Sequence, residues 1–257
     1  MYLSLVEFEC YADTTISQAE KAINQVLDCW RYNGQIIGRE FPVVLKEATF
    51  ATRVVCPEAD SLLERYQSSQ VKRAKLALSD VGLLSPKVKS LGRDINSDDS
   101  DQCESSSWLV LYTNYLQSCS PVRCGDHFTP VPLYHLPAIA NGDQKQLIKW
   151  QEDWSACDQL QMNGSILEYS ALQEMSNITS RLYQRGSDLC KRLEYLTKVP
   201  SYLYLYRVGG ESLATEKARC CPKCNQVWLL QETEHEIFDF KCDTCRLVSN
   251  ISWDFKR

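Results

Sequence analysis

Two Cys-x2-Cys pairs, Cys221-Pro-Lys-Cys224 and Cys242-Asp-Thr-Cys245, stand seventeen residues apart near the carboxy terminus and constrain this chain more than any other feature. Two residues between cysteines let a tight turn aim both sulfurs at one point, and two such turns at this separation match the ligand spacing of a four-cysteine zinc site. Thiols buried only for packing have no reason to occur as matched pairs. The segment between the pairs has strand character at each end, in 227–230 and around Ile237, Phe238 and Phe240, and residues 247–253 supply a third strand. The expectation is a small three-stranded zinc ribbon over 215–257, with one structural Zn2+ on Cys221, Cys224, Cys242 and Cys245.

A module of that size cannot bury enough apolar surface to fold unaided. The ion has to supply the difference, and small structural zinc sites contribute on the order of 10–16 kcal/mol near neutral pH. Four sulfurs close the coordination sphere and leave no position for metal-assisted catalysis. They also leave a negative charge that Arg219, Lys223, Lys241 and Arg246 are placed to offset. Cys220 offers an alternative pairing with Cys224; the two-residue spacing is preferred, which makes Cys220 a spare thiol.

Thirteen cysteines form an odd set, and the first ten residues alternate like a strand instead of forming an export signal. Thiols and metal ligands in a reducing cytoplasm fit this better than a disulfide framework. No apolar run approaches the roughly 20 residues needed to span a bilayer, so a membrane location is not expected. Net charge is −5, and residues 216–257 carry seven basic and seven acidic side chains, so the totals supply no basic face of the kind that neutralises phosphates.

The rest of the chain reads as α+β. Residues 2–10 form a strand, and 17–32 a helix with Ala19, Ala22, Ile23, Val26, Leu27 and Trp30 on one side, opened by a capping box at Ser17 and Glu20. Extended segments follow at 35–41 and 43–55, then a helix of about twenty residues opened by Pro57 and a strand near 87–92. This order matches a ferredoxin-like sandwich. The acidic stretch 97–107 reads as a mobile loop in which Cys103 is incidental, and 108–116 resumes a strand. From 144 the period becomes helical. Leu147, Trp150, Trp154 and Cys157 lead to Asn163-Gly164, a second capping box falls at Ser165 and Glu168, and Met175, Ile178, Leu182, Leu189 and Leu196 continue to Pro200, with Gly186 a point of bending. A helical hairpin over 144–199 is expected, its stripe packed on the body of the chain in preference to a coiled-coil partner, followed by an aromatic strand at 201–208. The domain division is thus 1–210 for the main body and 215–257 for the ribbon.

A second group of ligand-type residues, Cys119, Cys124 and His127, precedes a proline-rich segment containing His135. Three readings stand: a rigid turn or binding surface, a second metal site completed by His135 or a distant cysteine, and a Cys124–His127 nucleophilic pair.

The motifs Ser120-Pro-Val-Arg-Cys-Gly-Asp126 and Pro132-Leu-Tyr-His-Leu-Pro137, with the terminal Cys-Pro-Lys-Cys ribbon, resemble a bacterial family described as Zn-ribbon-containing and nucleic-acid-binding. The resemblance implies zinc on the four ribbon cysteines; in that family a cysteine often stands where this chain has His127. Trp228, Phe238, Phe240 and Trp253 are then either stacking faces for single-stranded bases or the ribbon's own core. The expected function is a non-enzymatic zinc-binding protein acting on nucleic acid or a nucleic-acid-processing complex. The alternative is a protein-interaction adaptor stapled by zinc, docking through 119–137 or the 175–196 helix. No Walker loop, G-x-S-x-G or H-E-x-x-H motif supports an enzyme.

Overall fold

Alternating burial along the first strand sets the amino-terminal architecture: Ser4, Val6 and Phe8 point inward, and the intervening residues stay partly exposed. The computed structural model describes residues 1–103 and 105–255; Glu104, in the acidic stretch, and Lys256 and Arg257, at the end of the expected ribbon, lie outside the described residues. The chain forms two compact units. The first comprises 1–102, 118–120 and 130–146, and the second 103–117, 121–129 and 147–257.

In the first unit, β1 (Tyr2–Glu9), α1 (Ile16–Asn33), β2 (Val44–Lys46), β3 (Thr49–Cys56), α2 (Ser69–Leu76) and β4 (Lys87–Arg93) follow one another along the chain. The sheet is antiparallel in the order β2-β3-β1-β4, which is the ferredoxin-like connectivity expected. Ile23, Val26, Leu27 and Trp30 of α1 and Val71 and Ala74 of α2 share a core with Val6, Phe8, Phe50 and Val54.

Several local expectations are corrected here. Residues 35–41 form no strand; Ile37 makes one bridge to Val55, and the hairpin lies wholly within 44–56. Its two turn residues, Glu47 and Ala48, both have positive φ (48° and 60°), the twist that suits a tight hairpin. The helix expected from Pro57 is only α2. Ser61 Oγ accepts from Glu58 N at 2.9 Å, which ties 58–61 into a turn, and the helix starts later, capped by Ser68 Oγ on Val71 N. The box that opens α1 is Thr15 with Gln18 in place of Ser17 with Glu20, because the earlier start lets Ala19 N bond Thr15 O at 3.0 Å.

The second unit is built on a six-stranded sheet in the order β6-β5-β7-β10-β9-β8. Its strands are β5 (Leu109–Leu111), β6 (Val122–Cys124), β7 (Ser201–Leu205), β8 (Leu229–Glu234), β9 (Phe238–Cys242) and β10 (Leu247–Ser249). Strand β7 is central and fully buried, parallel to both neighbours, with Leu203 between Leu111 and Leu247. The three carboxy-terminal strands therefore are not a separate module beginning at 215. They extend a sheet begun by residues 109–124, and 215–257 shares a compact unit with 103–117, 121–129 and 147–214.

The helical hairpin is a set of three helices, α3 (Lys145–Asn163), α4 (Glu168–Ser176) and α5 (Arg181–Thr197), and a short α6 (Leu213–Lys217) precedes the cysteine turns. The break falls at 177–180, where Ser180 Oγ caps α5 on Tyr183 N, and not at Gly186. Gly186 sits inside α5, where a Cβ would come within 2.8 Å of both Leu203 Cδ1 and Trp150 Nε1, so its absent side chain is what lets the helix lie against β7. Ser165 and Glu168 form no capping box; Leu167, at φ 54°, leads into α4 without a side-chain cap. Of the expected stripe, Met175, Leu182 and Leu189 are buried and Ile178 and Leu196 half-buried, and Leu193 takes the buried place near the end of α5. No helix among the described residues is long and apolar enough to cross a membrane.

Candidate metal centre

Cys221 and Cys224 sit on the turn that precedes β8, Cys242 ends β9, and Cys245 lies on the turn into β10. The antiparallel pairing of β9 with β10 places Cys242 opposite Leu247, which brings the second turn back on itself. All four sulfurs lie within 4.8 Å of one another, and Cys224 Sγ to Cys242 Sγ is 3.6 Å. A tetrahedral ion with metal–sulfur bonds of about 2.3 Å requires sulfur–sulfur edges of about 3.8 Å. Disulfide sulfurs are about 2.0 Å apart, and all thirteen cysteines are free. The donor set fits a metal ion.

The thiols face opposing pulls. Burial raises Cys242 and Cys245, and the backbone N–H of Gln226 draws Cys224 down to about 7. A cation among them favours the thiolate of each. Cys220 stands outside the group, with its sulfur 4.0 Å from Ala218 O.

The cations expected to offset the charge are for the most part already engaged. Arg219 lies 3.5 Å from Glu216 and 4.3 Å from the Phe240 ring centre, and burial lowers it to about 10. Lys241 pairs with Glu234 at 3.1 Å and Arg246 with Glu194 at 2.9 Å. Trp228, Phe238 and Phe240 are buried, so these three form the core of the strands; Trp253 is 38% exposed in a 3-10 turn, not in a third strand.

The second group of ligand-type residues does not form one site. Cys119 is buried and belongs to the first unit, as does the 132–137 segment, where His135 Nε2 lies 3.1 Å from Glu58 and Tyr134 bonds Ser61 Oγ at 2.8 Å. Cys124 and His127 belong to the second unit and do come together, 3.6 Å from sulfur to Nδ1. Their neighbour is Cys103, whose sulfur is 3.2 Å from the same nitrogen. Cys103 is thus not incidental. Nothing in its polar surroundings marks it, and only the fold reveals the pairing.

Three family models cover nearly the whole chain, each described as a domain of unknown function: DUF8589 over residues 1–92, DUF2310 over 103–206 and DUF8594 over 210–255. The last two meet where the sequence suggests a domain break, although the pairing of β10 with β7 joins both segments in one sheet. A Haemophilus influenzae protein described as uncharacterized is 47% identical over 99% of this chain and 100% of its own length. Another from the same organism, described likewise, is 49% identical over 69% of this chain and 87% of its own. A crystal structure of a putative antibiotic biosynthesis monooxygenase from Deinococcus radiodurans aligns at 15% identity over 37% of this chain and 97% of that one, with a TM-score of 0.27.

Proposed function

We propose, for a chain that belongs to the same bacterial family as these uncharacterized Haemophilus influenzae proteins, a non-enzymatic role as a zinc-stapled binding protein of the cytoplasm whose partner is another protein. One zinc ion on Cys221, Cys224, Cys242 and Cys245 ties the turn before β8 to the turn between β9 and β10. The sulfur spacing of 3.6 Å carries this reading. Four thiolates in tetrahedral array select zinc over harder divalent ions, and a closed four-sulfur shell has no room for substrate.

What favours a protein partner is the turn between α3 and α4. Met162, Ile166, Leu167 and Tyr169 fall within eight residues and are each more than half exposed. A run of large apolar side chains in solvent is the usual mark of a docking surface. The 175–196 helix does not supply that surface, because its apolar face is internal. Nucleic acid is the other partner class. Against it stand the burial of Trp228, Phe238 and Phe240, which leaves them no face for base stacking, and the engagement of Lys241 and Arg246 by carboxylates.

Tagged full-length protein, recovered from nuclease-treated extract, tests the reading beside an Ile166→Ser/Tyr169→Ser variant. The expected result is a protein partner retained by the parent and lost by the variant. Recovery of nucleic acid alone, with affinity that falls as salt rises and is equal in both proteins, overturns it.

A further inference from the structure

Three turns in the second unit share one backbone design, and only two of them belong to the four-cysteine site. In the first, Cys221 N donates to Gln226 O at 2.9 Å, Asn225 N donates to Cys221 O at 2.9 Å, and Asn225 has φ 59°. In the turn between β9 and β10, Cys242 pairs with Leu247 five residues on, and Arg246 has φ 53°. The turn after β6 repeats the pattern. Cys124 N donates to Thr129 O at 2.9 Å, Phe128 N donates to Cys124 O at 2.8 Å, and Phe128 has φ 59°. In each case the ligand-type residues stand first and fourth, Cys-x2-Cys twice and Cys124-Gly-Asp-His127 once. A non-glycine residue at positive φ is uncommon, so its recurrence at the fifth position of all three turns, as Asn225, Arg246 and Phe128, marks a common local fold.

That turn is also held firmly. Gly125 N donates to Trp108 O at 2.8 Å, and a Cβ at Gly125 would fall 2.1 Å from the Trp108 ring, so only glycine fits. Asp126 accepts Ser107 N at 2.7 Å as well as the Ser107 hydroxyl, and these bonds keep its carboxyl below the usual range. Arg123 donates to Phe128 O at 2.8 Å. The scaffold orients Cys124 and His127 before any ion arrives.

We propose that Cys103, Cys124 and His127 bind a second divalent metal ion of the zinc class. Their ligand atoms lie within 4.8 Å of one another, and the sulfur–nitrogen separations of 3.2 and 3.6 Å bracket the edge of about 3.5 Å required when metal–sulfur bonds of about 2.3 Å and a metal–nitrogen bond of about 2.0 Å meet at a tetrahedral ion. The ion rests on imidazole Nδ1 and two thiolates, a borderline-soft donor set suited to Zn2+. Cys103 and His127 are exposed, so this ion exchanges more readily than the one held by four sulfurs.

The test is metal content of the full-length protein after loading with zinc(II) and removal of the excess by gel filtration. Two ions per chain are expected in the parent, one in Cys103→Ser and in His127→Gln, and one in Cys224→Ser/Cys245→Ser. Both single changes are at exposed positions, and circular dichroism confirms that the fold is kept. Cobalt(II) substitution separates the sites, since the ion lost with Cys103→Ser has fewer sulfur ligands and weaker thiolate charge-transfer absorption than the one that remains. A parent that holds one ion, unchanged in Cys103→Ser and His127→Gln, overturns the second site and leaves the first standing. An ion lost in those two variants but indifferent to Cys224→Ser/Cys245→Ser supports the second site and overturns the first.

Discussion

The amino-terminal sandwich holds its sheet by burying aliphatic and aromatic side chains from two helices and two strands against one another. The far edge of the second unit has much less to bury: β8 is partly or fully exposed along its length, and two of the four sulfurs gathered beside β9 and β10 belong to buried residues. Phe238, Phe240, Leu247 and Val248 are buried there too, with the four sulfurs gathered beside them. Under the proposed zinc reading, apolar transfer alone holds the first sheet, and metal–ligand bonds add to it beside the exposed strand β8 of the second. Sensitivity to metal and sensitivity to core truncation should therefore separate between the units.

The largest effect expected is from removing the ion. Cys245→Ser, or a strong chelator, should unfold β8, β9 and β10, with a loss on the order of 10 kcal/mol of apparent stability; circular dichroism with zinc add-back reads it, and melting of the first unit should be unchanged. Next, Phe8→Ala empties a fully buried position in the sandwich and should cost about 3–5 kcal/mol in denaturant titration, by the same amount with or without chelator. A cost that grows on chelation would break the separation.

A smaller effect sharpens the picture inside the second unit. Gly186→Ala forces a methyl against Leu203 and Trp150 and should cost about 1–3 kcal/mol. Because Leu203 lies beside Leu247 in the sheet, the variant should also weaken retention of zinc in a chelator competition. The smallest effect is electrostatic and confined to the first unit. His135, at 3.1 Å, and the Tyr134 hydroxyl hold the Glu58 carboxyl below the usual carboxylate range. A carboxyl with a lowered folded pKa stabilises above its unfolded pKa of about 4.3, and the contribution disappears as pH falls through the folded value. Glu58→Gln should thus cost about 1 kcal/mol at pH 7 and nothing once the pH is below both values, measured by thermal melts across that range.

The sequence was legible where a feature repeats at short range. The stripe from Ala19 to Trp30, the alternation in β1 and the spacing of Cys221, Cys224, Cys242 and Cys245 each lie within one or two elements, and each is found in the fold. Boundaries set by hydrogen bonds between nearby polar side chains were less legible. Thr15-x-x-Gln18 and Ser17-x-x-Glu20 are both capping-box patterns, and composition alone does not rank them. Long-range pairing left no local trace. Nothing in residues 201–205 states that β10 will join them in parallel from more than forty positions away, and for that reason the carboxy-terminal strands read as an independent ribbon. Cys103 was missed on the same ground, since its partners Cys124 and His127 are contributed by a different strand and turn.

Amide hydrogen exchange on the full-length protein, with zinc bound and after its removal, tests the central claim most directly. The account predicts that protection in 221–249 collapses when the four-cysteine ion is removed, while protection in 2–56 is unchanged. Purified protein free of metal that nonetheless protects the β9 and β10 amides as strongly as the zinc-bound form would contradict it.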